Sequence, residues 1–72
     1  MNNLYFEDRF GDLHLVQSNV KTDEIYKVIS NYVKQLNPDF KIYYIRSWTG
    51  EDKSVTYDVG SHSEFFILKI EE

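Results

Sequence analysis

Apolar positions along this chain follow two different periods. Between residues 23 and 36, Ile25, Val28, Ile29, Tyr32, Val33 and Leu36 recur at spacings of three and four, which makes one stripe of a helix. Lys27, Asn31, Lys34 and Gln35 take the opposite side. Thr22 stands in the N-cap position, and Asp23 and Glu24 suit the positive end of the helix dipole. Asn37-Pro38 ends the helix, because the residue before proline avoids helical geometry. Elsewhere the pattern shortens towards a period of two and predicts strands over 4–7, 12–17, 40–48, 54–59 and 64–70. Asp8-Arg9-Phe10-Gly11, Thr49-Gly50-Glu51-Asp52 and Gly60-Ser61-His62-Ser63 are the turns between them. The order is ββαβββ, a single α+β domain over 1–72. One amphipathic helix is expected on one face of a mainly antiparallel, five-stranded sheet. The crossover through the helix leaves the strand order open.

Residues directly opposite in an antiparallel pair share a face, so loop length sets which side chains meet. Four-residue loops would pair Phe6 with Leu13 and Leu4 with Leu15, then Tyr44 with Tyr57 and Ile42 with Val59. The last hairpin would pair Tyr57 with Phe66 and Val55 with Leu68. That register directs large apolar residues to one face, where the helix stripe belongs. It sends Tyr5, His14, Val16, Tyr43, Ile45, Phe65, Ile67 and Lys69 to the other. An open antiparallel sheet alternates apolar-in with polar-out, and a lone helix covers only one side. Tyr5, Val16, Tyr43, Ile45, Phe65 and Ile67 are therefore the candidate protein-interface residues, an apolar patch of the kind that marks association surfaces.

Composition narrows the classes. There is no cysteine, so the core must hold without disulfides or a thiolate zinc site. Six tyrosines, five phenylalanines and one tryptophan supply the burial instead. Eight basic against twelve acidic residues give a net charge of −4, which disfavours bulk attraction to nucleic acid or an anionic membrane. No apolar run is long enough to span a bilayer and Met1-Asn2-Asn3 does not begin a signal peptide, so a cytoplasmic protein is the expectation.

The most chemical-looking stretch is Asp58-Val59-Gly60-Ser61-His62-Ser63. A nucleophile needs its base and orienting acid to converge, whereas neighbours in a tight turn point apart, and a strand rather than a helix follows. It reads as a hairpin corner, and no catalytic residue is assigned. His14 and His62, without cysteines and on different hairpins, make no metal site, and no cofactor is expected. His14 is expected on the sheet surface opposite Tyr5. Arg46 and Trp48 share the helix-side parity and are expected to cap the core beside a helix end, the alternative being a hot-spot pair at a partner surface. Phe10 is a single exposed ring at the tip of the first turn. Tyr5, Tyr43 and Phe65 on an open sheet have the look of a base-stacking platform, yet only Lys41 and Lys69 border it and Asp58 sits in its middle. Acidic residues near strand ends allow one more reading, a mimic of phosphates that inhibits a DNA-binding enzyme.

EDRFGDLHLV at Glu7 to Val16 and YDVGSHSEFFIL at Tyr57 to Leu68 together resemble small uncharacterised proteins carried by phages, prophages and other mobile elements of Gram-positive bacteria. The resemblance covers most of the chain and transfers no site residue. It implies a cytosolic accessory protein that binds rather than catalyses. The expected partners are a second copy of the chain or a host or phage protein, with no membrane role.

Overall fold

The computed structural model describes residues 2–39, 42, 45–59 and 65–71. Strand β1 (Asn2–Glu7) and strand β2 (Leu13–Gln17) lead through a 3₁₀ turn, Thr22–Glu24, into helix α1 (Ile25–Leu36). Strands β3 (Ile45–Thr49), β4 (Val55–Val59) and β5 (Phe65–Ile70) follow. They form one five-stranded sheet in the order β2-β1-β5-β4-β3, with every neighbouring pair antiparallel. The chain is thus α+β, and its crossover carries it from one edge of the sheet to the other. β2 and β3 are not neighbours; they are the two edges.

The crossover starts with a hook. Asn19 adopts a left-handed φ of 53°, its N–H donates to Asn3 Oδ1 at 3.1 Å, and the Val20 N–H donates to the Asn2 carbonyl at 2.8 Å. Val20 is buried by this, and the chain passes onto one face of the sheet. Thr22 falls inside the 3₁₀ turn and does not cap the helix: no side-chain capping bond is made at Lys21 or Glu24. The tighter first turn replaces the cap, as at many helix starts. At the far end the Asn37 N–H donates to the Val33 carbonyl at 2.9 Å in an extended residue before Pro38, which ends the helix as the sequence predicts.

Ile25, Ile29 and Val33 of α1 are buried against Leu4 and Phe6 of β1, Tyr57 and Val59 of β4, and Phe66 and Leu68 of β5. Val28 and Tyr32 pack at the flank, while Leu36, the last residue of the stripe, is half exposed. Phe6, Tyr32 and Phe66 form a ring cluster with centroids 5.2–5.7 Å apart, and Tyr26 meets Tyr57 edge-on at 6.1 Å. Such tilted pairs add to what burial of the rings alone provides.

Two hairpin registers differ from expectation, for one physical reason. In the first, the Asp8 N–H donates to the Asp12 carbonyl and the Gly11 N–H to the Asp8 carbonyl, each at 3.0 Å, with Gly11 at φ 86°. In the second, the Gly50 N–H donates to Ser54 O at 2.7 Å and the Lys53 N–H to Gly50 O at 3.1 Å, with Lys53 at φ 69°. Both are three-residue loops closed by a left-handed third residue. An odd loop where an even one was assumed turns a whole strand over. Phe6 therefore faces His14, and Tyr5 faces Leu15. Ile45 faces Val59, and Trp48 faces Thr56. The β4–β5 register is the expected one, with Tyr57 opposite Phe66 and Val55 opposite Leu68.

Candidate interaction surface

α1 is the only α-helix among the described residues, and it occupies one face of the sheet. The other face is built from two rows that cross all five strands. Leu15, Tyr5, Ile67, Thr56 and Trp48 form the first, in that order from edge to edge. Leu13, Glu7, Phe65, Asp58 and Arg46 form the second. Leu15 is 58% exposed and Trp48 is 49% exposed, so the first row is open at both ends. Tyr5, Phe65 and Ile67 between them are half-buried by their neighbours. The Trp48 ring meets Phe65 edge-on across β4 at 6.3 Å, which joins the rows into one surface.

This face keeps Tyr5, Phe65 and Ile67 of the sequence-based set and loses Val16 and Ile45. Val16 is not on it: β1–β2 is bulged, with Tyr5 opposite Leu15 and Leu4 opposite Gln17, and Val16 is the extra residue packed against the core. Ile45 also turns inward, opposite Val59, and packs on the core. Tyr43 lies outside the described residues, as do Lys41 and the Gly60–His62–Ser63 stretch. In exchange Leu13, Leu15 and Trp48 come out. Arg46 and Trp48 do not cap the core, since the three-residue loop puts both on the open face. Gly11, which supports a left-handed third loop position, was the available signal for the first hairpin. In the second, the glycine sits one residue before the loop and Lys53 takes the strained place, so composition pointed the wrong way.

Several charges of the face are engaged by neighbours. Arg46 Nη2 donates to Asp58 Oδ2 at 2.7 Å, with the aspartate side chain 15% exposed. Lys69 Nζ stands 5.8 Å from the Tyr5 ring centroid. The Tyr5 hydroxyl donates to Glu71 Oε1, and Asn3 Nδ2 donates to the same oxygen at 3.1 Å. That shared carboxylate raises the Tyr5 phenol above its ordinary range, while the phenol's hydrogen bond holds Glu71 below its own. A phenol so held is a poor nucleophile at neutral pH.

Asp8 is the organiser of the first loop. Its Oδ1 accepts the Phe10 and Asp12 N–H groups at 2.9 and 3.0 Å, and its Oδ2 lies 2.8 Å from His14 Nε2. The histidine contact first, then the two backbone donors, lower the Asp8 pKa. His14 accordingly lies on the helix side opposite Phe6, rings 6.3 Å apart, and not opposite Tyr5. No group of three or more histidine, cysteine or carboxylate side chains suited to a metal occurs among the described residues. No helix among them is long and apolar enough to cross a membrane. Beside β2, the helix leaves a shallow groove of about 190 Å³ lined by Val16, Gln17, Val28, Asn31, Tyr32 and Gln35. Comparison with protein-family models, curated proteins and solved structures found no match.

Proposed function

We propose that this chain is a non-catalytic binding module that holds a protein partner against its open sheet face. The apolar row Leu15–Tyr5–Ile67–Thr56–Trp48, spanning every strand on the side away from α1, carries the reading. A tryptophan and an arginine tied to a carboxylate at one end of such a surface are the residue types that anchor interfaces. The role fits a small accessory protein of a mobile element, which the resemblance of the two hairpin segments implies.

Two other readings draw less support. A stacking platform for single-stranded nucleic acid gains Trp48, but Arg46 and Lys69 are offset on this side by Glu7, Asp58 and Glu71. A phosphate mimic needs uncommitted carboxylates, whereas Asp8, Asp52 and Asp58 are engaged by their own neighbours.

Trp48 is the only tryptophan of the chain, so its emission reports coverage of this face directly. With partner-containing extract fractions, wild-type protein and a Lys27→Glu control on the wet side of the helix are expected to retain the same proteins. Ile67→Lys and Trp48→Lys should lose them while keeping the wild-type circular dichroism. Added purified partner should shift wild-type emission to the blue. Equal retention by all four proteins, or an unmoved emission maximum, overturns the reading.

A further inference from the structure

We infer that the β2 edge is a dimerisation seam, at which a second copy of this chain pairs its own β2 antiparallel about a two-fold axis through His14. This goes beyond the open face, since the contact is made by backbone along an edge.

The argument begins with which backbone groups are free. Asp8 and Asp12 form a bonded pair, and bonded and non-bonded pairs alternate along an antiparallel ladder. Phe6 and His14 are then the next bonded pair, and the N–H and C=O groups of Leu13 and Leu15 point away from β1. Among the described residues no strand lies beyond them, since β2 is terminal. Sheets usually guard such an edge with lysine, proline, other charge or a bulge, and the bulge of β2 lies at Val16, past the Leu13–Leu15 segment. The opposite edge has Arg46, but β2 reads Leu-His-Leu-Val-Gln, with no lysine, arginine, carboxylate or proline.

A second β2 satisfies these groups in one self-complementary register. Leu13 of each copy meets Leu15 of the other as a bonded pair, and the two His14 residues face each other as the intervening non-bonded pair. The outward donors and acceptors all find partners. Leu13 and Leu15 are already exposed on the open face, so the leucines of both copies lie together there and the two sheets become one. Asp12 comes opposite Val16, so no carboxylate meets a carboxylate across the seam. The same register brings Phe10, 80% exposed, level with the second copy's Ser18, beside the groove of about 190 Å³.

The contact is small. Five residues run about 17 Å along an edge. Pairing over that length, with two rings seated, falls short of the roughly 800 Å² per partner of a standard interface. So small a contact fits the weak, transient class of interface, and a dissociation constant on the order of 100 µM is the scale expected.

Sedimentation equilibrium from about ten-fold below to ten-fold above that value tests it. The average mass should climb from 8.6 kDa towards twice that, with Leu13 and Leu15 amides shifting in concentration-dependent NMR spectra. Leu15→Pro removes an outward N–H and no bond to β1, so it should fold and stay monomeric. Leu13→Lys, a milder change, should weaken pairing at least about ten-fold, as should Phe10→Ser. Trp48→Lys, on the open face and far from β2, should dimerise like wild type, which separates this seam from the partner surface. A single mass of 8.6 kDa throughout overturns the proposal. So does a dimer that survives both Leu15→Pro and Leu13→Lys, or one lost in Trp48→Lys. Unchanged pairing in Phe10→Ser overturns the seating of the ring.

Discussion

Gly11 and Lys53 occupy equivalent places in their loops, and the difference between them can be measured. Both are left-handed, a region that costs an L-residue with a Cβ about 1–2 kcal/mol. Gly11→Ala has open space around the added carbon, so any loss comes from the backbone alone and should be about 1 kcal/mol. Lys53→Gly should stabilise by less than that, because glycine also loses more freedom on folding. Urea melts of the two variants would show shifts of opposite sign. Acid should act through the neighbouring loop carboxylates. Hydrogen bonds from His14, Ser54 and Tyr5 respectively hold Asp8, Asp52 and Glu71 below their ordinary pKa values. As pH falls past about 4, the unfolded chain binds protons first, so the stability these groups confer, present above that point, is lost through their folded values. Tyr5 and Tyr57 are raised, by the Glu71 bond and by burial, so their contribution holds below about pH 10 and is lost above it. A pH series of thermal melts should form a plateau with both shoulders; in Asp8→Asn and Asp52→Asn the acid shoulder should shrink.

At the scale of elements, the helix was the most legible part, because Ile25, Ile29 and Val33 repeat a period that no strand produces. Strand identities were legible too. The faces of β1, β4 and β5 were as well, but those of β2 and β3 were not, since their faces depend on loop parity and not on composition. Val16 and Ile45 were placed outward, and Arg46 and Trp48 inward, by a miscount of loop residues in two hairpins. Phe66 shows what the correct packing supports. It is fully buried, with Phe6 and Tyr32 against its ring. Phe66→Ala should cost about 3–5 kcal/mol, a large share of the stability of so small a domain. Circular dichroism at 25 °C should find the variant largely unfolded. Ile67→Lys, one residue on but facing out, should melt close to wild type.

Across the whole molecule, the sequence conveyed that one helix could not shelter a sheet apolar on two sides, and the open face retains that character with different residues. What it could not convey was the path of the chain. β5 lies between β1 and β4, so the sheet is two local hairpins fastened by the last strand to be made. Leu4 pairs with Leu68 and Phe6 with Phe66, partners separated by nearly the full length of the chain. Translation therefore delivers β1 to β4, and the helix that packs on them, before the strand that joins the two hairpins within the sheet exists. Loop closure over such a span is slow compared with hairpin formation. Until that strand is in place the inner edges of β1 and β4 have no partner, so the species most open to proteases and to clumping is the chain with four strands and no fifth.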